Sequence, residues 1–236
     1  MINKIKKEFE RFTAKVSDRL FKTTKFDLYQ RKYSNIYNNN YVFKKNQFSL
    51  VHIPRSGGST VHSYLLENSK DFFSGVHHSA VSLSCNPNKF KYITSIRNPI
   101  DRVHSSYTIQ KKFRKLPFHI HAKEGLEFYL MNDWRVRNGM CKFINGNLNL
   151  DLNEELFNIA KNNLENFYFV IDFNNLELEL KLLSKKLNIK PRDIKYINNY
   201  IAPRDKLEKK DIELISKYNQ FDIRLYKEFL NLKQII

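Results

Sequence analysis

Two adjacent glycines stand in a segment whose residue types suit the binding of an anion. In VHIPRSGGSTVHSYL, residues 51–65, an apolar β-branched run ends at Pro54 and is followed by a short loop. Val61, Tyr64 and Leu65 then recur at helical spacing, so the segment predicts a strand, a loop and a helix. The loop supplies one cation, two glycines and three hydroxyls, and these are the candidate binding residues: Arg55, Ser56, Gly57, Gly58, Ser59 and Thr60.

Phosphate or sulfate is the kind of ligand that such a loop can hold. A helix N-terminus presents backbone N–H groups without intrahelical partners and a partial positive charge, and glycines let this backbone come close to an anion. The loop is not the nucleotide-triphosphate loop, because the pattern G-x-x-x-x-G-K-[ST] is absent. A glycine turn that merely joins a strand to a helix explains the same residues, and this loop alone leaves both interpretations open.

The end of a second predicted strand favours the anion-binding interpretation over a plain glycine turn. In ITSIRNPIDRVHSSY, residues 93–107, Arg97 follows an apolar run, and Asn98-Pro99 is typical of a helix start. Ser105 lies on the following helix, so Arg97 and Ser105 can hold one anionic group between them, by a bidentate guanidinium and a hydroxyl. Ligands of open α/β sheets bind beyond the carboxyl ends of the strands. Two anion sites at two strand ends predict one ligand with two separated anionic groups.

The elements that would position these residues alternate along the chain. Strands are predicted at 48–53, 91–96 and 167–171, and helices at 60–68, from Pro99 to about 113, and at about 174–187, 205–217 and 222–232. Strands separated by helices predict an α/β fold with a parallel sheet covered by helices. Residues 114–150 show no clear period, so we expect loops and short helices there.

The N-terminal region is predicted to lie outside this domain. Residues 1–30 follow an amphipathic helical pattern with Lys and Arg between the apolar positions, and the polar stretch 33–41 suits a linker. We therefore divide the chain into a helical arm with its linker, 1–40, and a domain, 41–236. The arm is expected to dock on the domain; peripheral membrane contact through residues 1–25, or binding of a partner, stays open.

Composition bounds the class of protein. The chain of 236 residues has 41 Lys and Arg against 24 Asp and Glu, a net charge of +17, which favours anionic partners or reflects a Lys-rich composition. Cys85 and Cys141 form no paired motif, so neither a disulfide framework nor a metal site is expected from them. HIH at 119–121 is a conceivable pair of metal ligands, but a surface loop is the favoured interpretation. No apolar run suits a signal peptide or a membrane span, which predicts a soluble, cytoplasmic protein.

At these motifs the sequence resembles a known family. HIPRSGGST, residues 52–60, resembles the 5′-phosphosulfate loop of the sulfotransferases that use PAPS (3′-phosphoadenosine 5′-phosphosulfate), usually H-I-P-K-T-G-G-T-S. SIRNPIDRVHSSY, residues 95–107, resembles their 3′-phosphate motif, R-[DN]-P-x-x-R-x-x-S-x-Y. NGMCKFING (138–146), FYFVIDFNNLELELKLL (167–183) and FDIRLYKEF (221–229) are similar to later segments of the carbohydrate O-sulfotransferase branch, known as sulfotransferase family 2. The resemblance runs from about 48 to 230 in the right order.

The resemblance implies a fold, a co-substrate and a set of roles. The fold would be a P-loop-like parallel sheet flanked by helices, with the N-terminal helical arm added. Residues 55–60 would hold the 5′-phosphosulfate of PAPS, and Arg97 and Ser105 its 3′-phosphate. In SGVHHSAVSL, residues 74–83, His78 matches the family's catalytic base, with His77 as the alternative. Arg55, which stands where the family usually has lysine, would stabilise the leaving group, and no metal is expected.

The activity implied is transfer of a sulfuryl group to a hydroxyl of a carbohydrate or glycoconjugate, including glycolipids. The positive charge suits an anionic acceptor, which a basic set could line: Lys111, Lys112, Arg114, Lys115, Arg135 and Arg137. A solvated basic face explains the same residues. Two other functions stay open: a phosphotransferase that uses another nucleotide, and a basic nucleic-acid-binding module; no specific nucleic-acid partner is expected under the sulfotransferase interpretation.

Overall fold

A small parallel sheet with helices on both faces forms the centre of the protein. The computed structural model describes residues 47–68, 72–73, 90–114, 116, 118–148, 151–196 and 206–235. Within them the strands are β1 (Gln47–Val51), β2 (Phe72–Phe73), β3 (Phe90–Ile96) and β4 (Phe169–Asp172). All pairings are parallel, in the order β2-β1-β3-β4. The predicted α/β class is confirmed; the predicted arm and linker, 1–40, lie outside the described residues.

Helices follow most of the strands and fill the second half of the chain. They are α1 (Gly58–Asn68), α2 (Pro99–Lys112), α3 (His119–Lys123), α4 (Leu126–Asn132), α5 (Gly139–Asn145), α6 (Glu154–Glu165), α7 (Leu176–Leu187), α8 (Lys209–Tyr218) and α9 (Gln220–Ile235). A short 3₁₀ turn, Phe173–Asn175, connects β4 to α7. None of the helices in these described ranges is both long enough and apolar enough to cross a membrane.

Two apolar clusters hold the helices to the sheet. Successive side chains of a strand point to opposite faces, so Leu50 and Val51 enter different clusters. The cluster on the Leu50 face joins Ile93 and Ile171 to residues of α1 and α7, namely Val61, Leu65, Leu180 and Leu183. The cluster on the Val51 face joins Ile96 to residues of α2, α5, α6 and α9, namely Val103, Met140, Phe143, Phe157 and Leu225. The sheet is therefore the middle of three layers.

The strand order places a topological switch point between β1 and β3. From β1 the chain passes through α1 to β2 on one side, whereas β3 lies on the other side of β1 and leads to β4 beyond it. The connections after β1 and β3 therefore leave the sheet in opposite directions, the arrangement that produces a crevice at the carboxyl edge of open α/β sheets. Crevices of this kind are where open α/β sheets bind ligands.

The predicted strands and helices are present, with ends displaced by up to about four residues. Helix α6 is not among the predicted elements, although Phe157, Ala160 and Leu164 are buried at helical spacing. The unpatterned stretch 114–150 contains α3, α4 and α5, each of seven residues or fewer, as expected. The interpretation of HIH as a surface loop is wrong, because His119 and His121 lie on α3 and are 7% and 3% exposed.

Candidate functional site

The loop after β1 and the start of α2 meet at the switch point. Val51 and Thr94 are register partners in the β1–β3 pair, so the residues that follow β1 lie beside the end of β3. Two hydroxyls of β3 fix the loop: Thr94 donates to the carbonyl of Val51 at 2.9 Å, and Ser95 donates to the carbonyl of Ser56. The predicted 5′-side loop is thus attached to the strand that delivers Arg97.

The backbone of this loop is unusual at two positions. Arg55 and Gly57 have φ angles of +67° and +81°, in the left-handed region. Glycine adopts such an angle without cost, whereas an arginine there costs about 1–2 kcal/mol and is held by its surroundings. Held backbone strain of this kind clusters at functional sites.

Both glycines are also required by close packing. A Cβ on Gly57 would lie 2.6 Å from the ring of Phe173, and a Cβ on Gly58 would lie 2.1 Å from the ring of His52. The glycine-turn interpretation therefore has structural support, and so does the binding-loop interpretation, since α1 begins at Gly58 and its first amides point beyond the helix. The two interpretations are compatible with each other.

The hydroxyls of the loop differ in their surroundings. Ser56 is fully buried, and within the described part of the chain its hydroxyl has no hydrogen-bond partner. Thr60 is 4% exposed, and its amide donates to the carbonyl of Gly57 at 3.0 Å. Ser59 is partly exposed at the start of α1. Because a buried hydroxyl without a partner is costly, Ser56 is the least satisfied hydroxyl of the loop.

The guanidinium of Arg55 contacts Ser105 across 50 residues of sequence. Its Nε and Nη2 both donate to the Ser105 hydroxyl oxygen, at 3.1 and 3.0 Å. Ser105 is 3% exposed, in the second turn of α2. The structure therefore brings one residue predicted for the 5′ end of the ligand into direct contact with one predicted for the 3′ end.

Arg97 lies against the same loop. It is 6% exposed, its Nη1 donates to the carbonyl of Arg55 at 3.3 Å, and its guanidinium carbon lies 4.5 Å from the centre of the Phe173 ring. Phe173 follows β4, the neighbour of β3, and is a site residue that motif reasoning missed. The only signal in the sequence is an aromatic residue two positions after the end of the strand predicted at 167–171.

The start of α2 is fixed as its sequence predicts. The side-chain oxygen of Asn98 accepts from the amides of Ile100 and Asp101, at 2.9 and 3.5 Å, and Pro99 occupies the first turn. This cap determines where the helix starts and therefore where Ser105 lies relative to Arg97.

Arg102, the second arginine of the motif, has a different role from Arg97. It is 1% exposed and forms an ion pair with Asp222 of α9 at 3.1 Å, and Asp222 also accepts from the amides of Met140 and Cys141 at the start of α5. The space beside Gly139 is tight, since a Cβ there would lie 3.1 Å from the Arg102 guanidinium. The three segments 97–107, 138–146 and 221–229 thus meet in one buried polar cluster that supports α2.

The remaining predicted residues fall into two groups. His77, His78 and Lys115 lie outside the described residues. Of the basic set, Lys111, Lys112 and Arg114 are exposed, and Arg137 is partly exposed. Arg135 forms a bidentate ion pair with Asp133 and lies 4.2 Å from the centre of the Phe118 ring, so it has a local structural role.

Other chemistry has little support among the described residues. They contain no group of three or more His, Cys, Asp or Glu residues that could hold a metal ion. Burial, followed by the charge of Asp222, raises the pKa of the Cys141 thiol well above its usual value. Cys141 is therefore protonated near neutral pH and is a poor nucleophile.

No family model matches the chain, and no curated protein matches it either. A function is therefore inferred from the motifs and from the contacts of the residues at the switch point.

Proposed function

We propose that the chain is a PAPS-dependent sulfotransferase that transfers a sulfuryl group to a hydroxyl of a carbohydrate or glycoconjugate. The observation that carries the proposal is the convergence of Arg55, Arg97 and Ser105 at the switch point of a parallel sheet. These residues belong to two motifs that resemble the 5′-phosphosulfate and 3′-phosphate motifs of that family. As part of the same proposal, the parallel sheet is of the P-loop-like type.

The residues present fit a doubly anionic nucleotide. The first amides of α1 lie at the end of the loop, the Ser56 hydroxyl is buried without a partner among the described residues, and the guanidinium groups of Arg55 and Arg97 supply the charge. Under the proposal, Arg55 and the loop 56–60 hold the 5′-phosphosulfate, and Arg97 with Ser105 holds the 3′-phosphate. A planar guanidinium suits phosphate because it can donate two parallel hydrogen bonds.

Only a few chemical groups take part in the proposed sulfuryl transfer. PAPS supplies the sulfuryl group, and the 3′,5′-bisphosphate PAP is its leaving group. His78 takes the proton from the acceptor hydroxyl, since an imidazole has its pKa near the pH at which such an enzyme works. Arg55 and the amides at the start of α1 stabilise the negative charge that develops on the oxygen between sulfur and the 5′-phosphate, and they are in place before the reaction begins. The exposed Lys111, Lys112 and Arg114 are proposed to face an anionic acceptor.

Binding of three probes tests the proposal. Thermal stability is measured with PAP, with ATP and with a single-stranded oligonucleotide, because a ligand that binds the folded state raises the unfolding temperature. The proposal predicts stabilisation by PAP well above that by ATP. A larger effect of ATP favours the phosphotransferase, and a salt-sensitive effect of the oligonucleotide alone favours the nucleic-acid-binding module; either result contradicts the proposal.

A single variant makes the same test specific to the site. Arg97→Ala is expected to weaken PAP binding by about tenfold or more, since hydrogen bonds to charged groups contribute about 1.5–3 kcal/mol each. Lys227→Ala is the matched control, because it removes the same charge from an exposed position on α9. Equal loss of PAP affinity in both variants would show that only net charge matters.

A further inference from the structure

One aromatic side chain touches both halves of the site. The Phe173 ring lies 4.5 Å below the guanidinium carbon of Arg97, and two of its atoms would be 2.6 and 2.8 Å from a Cβ on Gly57. Gly57 belongs to the loop of the first motif and Arg97 to the second. The ring therefore contacts a residue of each predicted anion site, Gly57 in one and Arg97 in the other.

The position of the ring is set by the sheet. Phe173 directly follows Asp172, which pairs in register with Ile96, the residue before Arg97. The carboxylate of Asp172 accepts from the amide of Asn174 and from the side chain of Asn175, both at 3.0 Å, and so fixes the turn that carries the ring. The ring also packs on the apolar cluster of the Leu50 face. Contacts outside the loop therefore hold the ring in place.

The ring contact and the hydrogen bonds use different parts of the Arg97 side chain. A guanidinium that lies over a ring is attracted by the π-system, while its N–H groups point outward in its own plane. One of these groups donates to the carbonyl of Arg55 at 3.3 Å. The ring therefore limits the movement of the guanidinium on the side of Phe173.

We infer that Phe173 is a positioning residue, which holds Arg97 at a fixed distance from the loop 54–57 and thereby sets the preference of the site for a nucleotide with two separated anionic groups. The inference rests on the proposed function, because it takes PAP as the ligand. It concerns the distance between the two anion sites, which neither motif specifies.

The test compares two ligands that differ in one phosphate. Calorimetry measures the affinities of PAP and of 5′-AMP, which lacks the 3′-phosphate, for the wild type, Phe173→Leu, Phe173→Tyr, Arg97→Ala and the double variant with Arg97→Ala and Phe173→Leu. Leucine keeps apolar bulk but removes the π-face, whereas tyrosine keeps the ring. Phe173→Leu is expected to weaken PAP binding about three- to tenfold, within the range of a partly buried cation–π contact, and to leave 5′-AMP binding unchanged.

Further outcomes decide between positioning and mere support of the fold. Phe173→Tyr should restore the wild-type ratio of PAP to 5′-AMP affinity, and Phe173→Leu should cause no further loss when Arg97 is already alanine. Equal weakening of both ligands, or an additive loss in the double variant, overturns the inference while leaving the sulfotransferase proposal intact. A wild type that binds PAP no better than 5′-AMP contradicts the proposed function and this inference with it.

Discussion

Arg55 and Ser105 form a two-pronged hydrogen bond that joins the loop after β1 to the second turn of α2. Both N–H groups on one edge of the guanidinium meet a single hydroxyl oxygen, at 3.1 and 3.0 Å. The left-handed backbone of Arg55 belongs to the same arrangement. A lysine has a single ammonium on a flexible stem and cannot reproduce this fork.

The first prediction concerns Ser105. Ser105→Ala is expected to weaken PAP binding about tenfold, because it removes both the acceptor of Arg55 and the proposed donor to the 3′-phosphate. Binding of 5′-AMP should weaken less, since that nucleotide lacks the 3′-phosphate and depends on Ser105 only through Arg55. Calorimetry with both nucleotides gives the measurement.

Ser106→Ala is the matched control for Ser105→Ala. Ser106 is the next residue on α2, but its hydroxyl accepts from Tyr129 at 2.9 Å, away from the loop. Its loss should lower stability without selective loss of PAP affinity. If Ser106→Ala and Ser105→Ala weaken PAP binding equally, Ser105 has no specific part in binding.

The second prediction concerns the buried ion pair of Arg102 and Asp222. Arg102→Met is expected to lower the free energy of unfolding by about 3–5 kcal/mol, because it leaves a buried carboxylate without its counter-charge. Urea denaturation measures the loss. Arg224→Ala, which breaks the exposed pair with Glu154, is the control and should have a much smaller effect. Losses of similar size would contradict the importance that we give to burial.

The local parts of the site could be predicted from the sequence. Strand ends, the Asn98-Pro99 cap and the glycines each depend on neighbours within a few residues, and the structure contains all three features. The placement of Arg97 beside the loop 54–57 followed from one further rule, that the carboxyl ends of parallel strands share an edge.

The parts that could not be predicted depend on contacts between distant segments. The contact of Phe173 with Arg97 requires the β3–β4 register, and the Arg102–Asp222 pair spans 120 residues. Neither contact can be deduced from the spacing of residues in the sequence. The surface-loop interpretation of HIH (119–121) is wrong for a related reason. His121 is polar in type, yet it packs against the rings of Phe118 and Phe128, and such contacts are not visible in the sequence.

The third prediction concerns stability at high pH. Burial, followed by the charges of Asp172 and Asp101, raises the pKa of Tyr226 to about 12. An unfolded tyrosine ionises near pH 10, so the folded state favours the protonated phenol. The stabilising contribution is complete below about pH 10 and is lost as the pH rises through about 12.

Tyr226→Phe tests the sign of this effect. The variant should lose less stability than the wild type between about pH 10 and pH 12, as measured by urea unfolding at a series of pH values. It also removes the phenol oxygen that accepts from Asn174 at 3.0 Å, so the comparison uses the slope against pH and not the absolute stability. Equal slopes would show that Tyr226 does not titrate differently in the folded state.

The last prediction separates binding from catalysis. His78→Ala is expected to leave PAP binding unchanged and to lower the transfer of radiolabelled sulfate by about 10²–10⁴-fold, the usual contribution of a general base. Arg97→Ala, in contrast, should weaken the binding of PAP itself. His77→Ala is the matched neighbour, with the same side chain removed one residue earlier. Normal turnover in His78→Ala together with loss in His77→Ala would assign the base to His77. Normal turnover in both single variants would contradict the assignment of the base to either histidine. Another group would then have to take the proton from the acceptor hydroxyl.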